Sequence, residues 1–279
     1  MKKFCLLLGG KIEHSISPVM QNAAFARLGL DIEYKAMNIH EKDLNEMVEM
    51  LRRKDMLGAN VTIPYKISML KFMDSVDKTT KKIGAINTIV NENGKLKGFN
   101  TDTIGFSEMI KRYKIILEDK KVLIIGAGGV ARAIAFQCVL EGARVSIFNR
   151  TAKRAEELKD RILNELGKEI IICQISEIKK ADILINATSV GMFPKINETL
   201  VSRNLLHSRL VVIDVIYNPL ETKLLREAKK VGCRKRINGV EMLVQQGAAS
   251  FELWTKRKAP IELMRKVVIT ELMIRNGLQ

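Results

Sequence analysis

The chain has 279 residues, 47% of them hydrophobic, which is ample for two domains with buried cores and argues against wholesale disorder. No apolar run reaches the roughly 18 residues of a membrane span, and the Phe4–Leu8 run is too short for a secretory signal, so no membrane partner is expected. The formal net charge of +16 raises nucleic-acid binding, but the basic residues are scattered in short runs and aromatic residues are 5%, too few for a base-stacking platform; a Lys-rich surface disposed to anionic small ligands fits better, and no nucleic-acid partner is expected.

In chain order, "FCLLLGG" reads as a buried strand and "SPVMQNAAFARLG" as a helix, with Ser17 as N-cap, Pro18 at its first position and Gly29 closing it. "IEYKAMNI" is strand-like. Leu44, Met47, Val48 and Leu51 recur at helical spacing in "EKDLNEMVEMLRR". "GANVTI" is a strand and "KISMLKFM" opens a further helix. "AINTIVNENGKLKGFNTD" is a hairpin turning at Asn93–Gly94, and a helix over 103–113 follows as a connector. A second pattern then begins, with "KKVLIIGAGGVARAIAFQCVLEGARVSIFNR" as strand, Gly-rich turn, helix and strand. A helix over 151–166 comes next, then strands at "IIICQ", "ADILINAT" and "LVVIDVIY", a helix in "PLETKLLREAKKVG" and mostly helical chain from about 240. Strands alternating with helices predict an α/β protein with parallel sheets. Cys5, Cys138, Cys173 and Cys233 lie far apart without a C-x-x-C, which argues against a metal site or a disulfide framework and for reduced, cytoplasmic thiols.

The most specific local motif is Gly126-Ala127-Gly128-Gly129-Val130-Ala131 between an apolar strand and a helix. It fits the dinucleotide fingerprint: Gly126 permits the tight turn, Gly128 lets a pyrophosphate approach the backbone, and Ala131 keeps the helix near the sheet. Free N–H groups at the helix start then face phosphate oxygens. The next strand ends in Asn149-Arg150-Thr151, with Arg154 one turn later and no carboxylate where an NAD enzyme holds its ribose. Two guanidiniums suit a 2′-phosphate, which predicts NADP(H).

Four polar motifs crowd the first hundred residues, each at a predicted strand end or loop: "HSISPVMQN", "NVTIPYK", "GAINT" and "GFNTD". Strand-end loops are where open α/β sheets hold ligands, and hydroxyls and amides in such number suit a polyhydroxylated substrate. Together with "GAGGVARAI", "NRT", "NATSVGM" and "NGVEMLVQQGAASFELWT", they make the chain resemble the shikimate dehydrogenase family over nearly its whole length. The resemblance implies NADPH-dependent, reversible reduction of 3-dehydroshikimate to shikimate. It also implies an N-terminal substrate domain (1–102, with 239–279 returning to it) and a Rossmann domain (103–238).

Residue by residue, the resemblance implies that Ser15 and Ser17 hold the substrate carboxylate. Thr62, Asn87, Tyr217 and Gln246 line the ring and its hydroxyls, and Lys66 and Asp102 flank the reacting C–O group. Gly126, Ala127, Gly128, Gly129, Asn149, Arg150, Thr151, Arg154 and Thr188 hold NADP, with Met192, Val215, Gly239 and Met242 near its adenine or nicotinamide ends. The chemistry is consistent with this. Hydride reaching a carbonyl carbon leaves an alkoxide-like oxygen, which a neighbouring ammonium stabilises and protonates while a carboxylate orients the ammonium. Which of Lys66 and Asp102 moves the proton is not legible in the sequence, and neither is the oligomeric state, although a homodimer is compatible with it.

Two features depart from the family pattern: Lys11-Ile12 replaces the usual proline after the first glycine pair, and "WTKRKAP" replaces the usual "WTG". The first bears on how the Ser15–Ser17 loop is braced, the second on a local turn. Three rivals remain at this stage. One is a quinate/shikimate dehydrogenase using NAD or NADP. Another is a glutamyl-tRNA reductase-like RNA binder, which needs a reactive N-terminal cysteine where only Cys5 is available. The third is a non-catalytic NADP-binding regulator, against which an intact Lys66–Asp102 pair argues.

Overall fold

The computed structural model describes residues 1–10 and 12–277; Lys11, one of the two departures, and the last two residues of the returning C-terminal segment lie outside the described residues. The described chain forms two compact units. The first comprises Met1–Gly105 and Val244–Glu271, and the second is built mainly of Phe106–Leu243.

In the first unit β1 (Lys3–Gly9) leads through α1 (Ser17–Arg27) to β2 (Ile32–Asn38) and through α2 (Leu44–Leu51) to β3 (Met56–Val61). β1 pairs in parallel with both neighbours. The buried face of α2, Leu44, Met47, Val48 and Leu51, packs with Leu6, Leu8, Met56 and Val61 in one apolar cluster. Next come β4 (Ser75–Val76), α3 (Lys78–Ile83), β5 (Thr88–Glu92), β6 (Lys95–Phe99) and α4 (Asp102–Arg112), and the sheet order is β2-β1-β3-β5-β6-β4.

The sheet is mixed rather than purely parallel. Asn93 and Gly94 both take positive φ, 55° and 91°, the geometry of a tight hairpin turn, so β5 runs antiparallel to β3 and β6. One consequence governs the chemistry: the end of β3, the start of β5 and the end of β6 share one sheet edge. The register places Thr88 opposite both Asn60 and Phe99.

Three local expectations are corrected. α1 starts at Ser17 itself, and Ser15 Oγ, not Ser17, accepts a hydrogen bond at that end, from Ser17 N–H at 3.2 Å. The chain after Lys66 forms only a short 3-10 turn, Ser68–Phe72. There Asp74 exchanges bonds with Leu96, accepting from its N–H at 2.6 Å and donating to its carbonyl at 2.9 Å, which draws the chain into β4. α4 begins at Asp102, one residue earlier than expected.

The second unit runs from β7 (Lys121–Ile125) through α5 (Gly129–Leu140), β8 (Arg144–Phe148), α6 (Ala152–Leu166), β9 (Ile171–Ile172), β10 (Ile183–Asn186), β11 (Val211–Asp214), α7 (Lys223–Val231) and β12 (Lys235–Ile237). All its strand pairs are parallel and the order is β12-β11-β10-β7-β8-β9. That is the doubly wound Rossmann arrangement, whose order reverses between β7 and β10, where such sheets bind ligands.

Two C-terminal helices complete the chain, α8 (Val240–Thr255) and α9 (Ile261–Arg275). From Val244 onward α8 belongs to the first unit. Phe251 stacks on Phe25 of α1 at 5.1 Å between ring centroids, and buried Trp254 donates its indole N–H to the Ile89 carbonyl at 2.9 Å. Gly58 (φ 152°) makes that approach possible: a Cβ there would lie 1.9 Å from the Ile89 oxygen and 2.7 Å from Trp254 Nε1. Lys256, where the family pattern has glycine, sits at φ 57°, so the turn after α8 keeps a left-handed residue without the glycine.

Candidate active site

At the shared edge of the first sheet, Lys66 follows the turn after β3, Asn87 precedes β5 and Asp102 opens α4. Lys66 Nζ lies 2.5 Å from Asp102 Oδ2, and both residues are buried, with exposures of 7% and 4%. Asn87 Nδ2 donates to Asp102 Oδ1 at 3.0 Å and to Gln246 Oε1 of α8 at 3.3 Å. The sequence-predicted Lys66, Asn87, Asp102 and Gln246 therefore meet in one cluster. A buried, paired lysine is uncommon, because removing both charges from water is favourable only with close pairing and further hydrogen bonds.

Ser15 and Thr62 lie on the loops after β1 and β3, and Ser17 opens α1. A Cβ at Gly9 would stand 2.6 Å from Thr62 Cγ2, so the two loops are in contact. Among the described residues none of these three hydroxyls bonds a member of the Lys66 cluster; Ser17 is buried and Ser15 and Thr62 are half-buried. His14 is exposed on the same loop. Behind the cluster lie Thr88, Thr101 and Ser250, groups not singled out from the sequence, all buried and hydrogen-bonded to one another, and Asn60 of "NVTIPYK" donates to Ser250 at 2.9 Å. Thr101 was within view, as the middle of "NTD"; Ser250 had no signal beyond a hydroxyl in an otherwise apolar helix stretch.

In the second unit, Gly126 takes φ 118°, and a Cβ on it would lie 3.0 Å from the Ala187 carbonyl. Ala127 is buried. Gly128 caps α5 and Gly129 begins it, with no side chain bonding the free N–H groups of the first turn. A Cβ on Gly128 would meet nothing within 4 Å, so packing in the protein does not require that glycine; close approach of a phosphate to this turn would. After β8, Asn149 Nδ2 donates to the Thr151 carbonyl at 2.8 Å, and Arg150, Thr151 and Arg154 are exposed at the uncapped start of α6. Uncapped helix starts beside two guanidiniums that pair with no carboxylate among the described residues fit a dinucleotide carrying an extra phosphate.

The loops after β10 and β11 are tied together. Thr188 N–H and Oγ1 both donate to Asn186 Oδ1, at 3.1 and 2.7 Å, and Asn186 Nδ2 donates to Asp214 Oδ1 at 3.0 Å. Asp214, fully buried, also accepts from Ile216 N–H at 3.1 Å and Thr222 Oγ1 at 2.7 Å. Burial pushes its carboxyl up to about 6 against the pull of these bonds. An aspartate interrupting "LVVIDVIY" is the signal that could have marked it. Val215 and Tyr217 are half-buried and follow it directly, and Gly239 fits against Val215, whose carbonyl oxygen a Cβ would approach to 1.9 Å. Met242 is buried and Met192 is 39% exposed. Arg132 of α5 is buried and forms a 3.5 Å ion pair with Glu157, and burial lowers its pKa. Cys5 is fully buried, and burial pushes its thiol well up, which removes the nucleophile that the RNA-binding rival requires.

Three family models match. The shikimate dehydrogenase substrate binding domain covers residues 7–89, shikimate / quinate 5-dehydrogenase covers 108–223, and the shikimate 5′-dehydrogenase C-terminal domain covers 239–269. A curated relative from Methanococcoides burtonii, named shikimate dehydrogenase (NADP(+)), is 45% identical over 274 residues, 98% of this chain and 100% of its own length. A crystal structure of a shikimate dehydrogenase in complex with NADP+ superposes with a TM-score of 0.92 at 41% identity, covering 97% of this chain and 96% of that one. The Thermus thermophilus shikimate 5-dehydrogenase, solved with NADP(H) and shikimate, gives 0.87 at 34% identity, covering 96% and 99%.

Proposed function

We propose that this chain, which belongs to the shikimate dehydrogenase family, catalyses the reversible NADPH-dependent reduction of 3-dehydroshikimate to shikimate, a step of aromatic amino acid biosynthesis. The observation that carries the reading is the buried Lys66–Asp102 pair at 2.5 Å, braced by Asn87 at the sheet edge where open α/β sheets take ligands. An inert binding protein gains little from such a pair, since a well-packed apolar pair is often as stable.

When bound, NADPH supplies the hydride. The chain's own residues do the rest. Lys66 keeps two N–H donors beyond the one facing Asp102 and directs them at the substrate oxygen that gains charge, in a site dry enough to strengthen that attraction. Asp102 holds the ammonium with Oδ2 and retains lone pairs for a neighbouring substrate hydroxyl. Lys66 and Asp102 act as one coupled acid–base unit toward the substrate proton. Ser15 and Ser17 hold the substrate carboxylate, and Thr62, Asn87, Tyr217 and Gln246 take the ring hydroxyls. Gly126 to Gly129 and Thr188 hold the cofactor's phosphates and backbone, Asn149, Arg150, Thr151 and Arg154 hold its 2′-phosphate end, and Met192, Val215, Gly239 and Met242 flank its ring ends. Four free cysteines, three of them buried, suit the reducing cytoplasm in which we place the reaction.

The matching model that names both shikimate and quinate keeps a broader dehydrogenase as the second reading. One experiment separates them: purified protein is assayed with shikimate and with quinate, each with NADP⁺ and with NAD⁺, at alkaline pH. The proposed function predicts the highest kcat/KM for shikimate with NADP⁺. Preference for quinate or NAD⁺ establishes the second reading, and no turnover of shikimate refutes the first.

A further inference from the structure

Asn87 faces the acid–base pair with one end of its amide and a group of hydroxyls with the other. Its oxygen accepts from Thr101 N–H at 2.7 Å and lies within hydrogen-bond distance of two hydroxyls, Thr88 Oγ1 at 3.0 Å and Thr101 Oγ1 at 3.1 Å. A backbone N–H can only donate, so this contact fixes which end of the amide is oxygen. The NH2 end is thereby turned to Asp102 Oδ1 at 3.0 Å and Gln246 Oε1 at 3.3 Å, and it also donates to Thr101 Oγ1 at 2.9 Å. The reverse amide would set oxygen against carboxylate and NH2 against N–H.

The hydroxyl protons can be placed as well. Ser250, fully buried on α8, gives its one proton to the Gln246 carbonyl at 3.0 Å and so acts toward the sheet only as an acceptor. It takes Asn60 Nδ2 at 2.9 Å and Thr88 Oγ1 at 2.8 Å, its closest partner in the group. With the Thr88 proton on Ser250, Thr101 Oγ1 is the hydroxyl left to donate to Asn87 Oδ1 at 3.1 Å, and the same oxygen accepts from Asn87 Nδ2 at 2.9 Å, so it bridges both ends of the amide. Tyr34 donates to Asn60 Oδ1 at 2.8 Å and holds the far end of the chain of donors.

We propose that Thr101 is a positioning residue for the reaction: its N–H and hydroxyl lock the Asn87 amide so that Asn87 Nδ2 braces Asp102 Oδ1 and leaves Asp102 Oδ2 facing Lys66. The inference rests on the reading of Lys66 and Asp102 as the reacting pair. Thr101 is buried against Asn87 and acts through it.

The test compares Thr101→Val, Thr101→Ala and Thr101→Ser with the wild type in shikimate oxidation, with kcat expressed per NADPH-binding site and thermal midpoints measured alongside. Valine keeps the shape without the hydroxyl, serine keeps the hydroxyl without the methyl, and alanine differs from serine by a single oxygen. A packing role ranks valine above serine; positioning ranks serine above valine and alanine. The expected result is a kcat about tenfold lower in the valine and alanine variants, the scale of one lost hydrogen bond. The shikimate KM stays within about threefold, and serine restores kcat to within about threefold of wild type. Should the valine variant fail to fold, serine against alanine decides alone. Equal kcat for serine and alanine, or valine at or above serine, overturns the proposal. An inactive wild type instead refutes the assigned reaction, and the positioning role falls with it.

Discussion

Asp214 gives a prediction whose size follows from its surroundings. The carboxyl is fully buried at the end of β11, with three hydrogen-bond donors and no salt bridge among the described residues. Burial raises it from the ordinary 3.8 to about 6. A raised acid favours the protonated folded state, so its stabilising contribution is complete below about pH 4 and is lost as pH rises through about 6. A rise of about two pH units at about 1.4 kcal/mol each makes the loss about 3 kcal/mol. Asp214→Asn removes the titration while keeping the shape. Urea unfolding of both proteins at steps from pH 4 to pH 7 isolates the effect, because every other group titrates in both and cancels in the difference. Wild type should lose about 3 kcal/mol relative to the variant across the interval, most of it between about pH 4 and 6. A difference that stays constant with pH refutes the reasoning.

Further outcomes follow from the same structure. Arg150→Ala should raise the NADP⁺ KM about tenfold or more while leaving that for NAD⁺ nearly unchanged, because only NADP⁺ carries the phosphate a guanidinium would pair with; steady-state kinetics with both cofactors checks it. Gly58→Ala should destabilise the first unit by about 4 kcal/mol or more, since its Cβ would fall 1.9 Å from the Ile89 carbonyl; a thermal midpoint near wild type contradicts the packing described. Trp254→Phe should cost about 1–2 kcal/mol by leaving the Ile89 carbonyl without the indole N–H, read by urea titration, and no loss would mean the bond contributes nothing net.

Much of the fold was legible because the signals were local. The Gly-rich turn between an apolar strand and a helix, the apolar stripe of α2 and the Asn93–Gly94 turn each act within about a dozen residues. What escaped was decided at a distance. The residues after Lys66 carry helical spacing, yet Asp74 is claimed by Leu96 across the sheet and the helix stops as a 3-10 turn. β12 is three residues, Lys235–Ile237, two of them basic, and becomes a strand only because β11 offers it a parallel partner. The site divides in the same way. "NVTIPYK" and "GFNTD" mark Lys66 and Asp102 as candidates, but their contact spans 36 positions and depends on the antiparallel register of β5. Ser250 joins the network from 149 residues beyond Thr101, a proximity no spacing rule supplies.

The central claim is that Lys66, paired with Asp102, is needed for the proton-transfer chemistry and not for holding the hydride carrier. The most direct measurement is the turnover of Lys66→Ala with shikimate and NADP⁺, set beside its affinity for NADPH. Turnover should fall by about two orders of magnitude or more, with NADPH affinity within about twofold of wild type. A variant that turns over near the wild-type rate, or one that loses NADPH binding along with activity, contradicts the account.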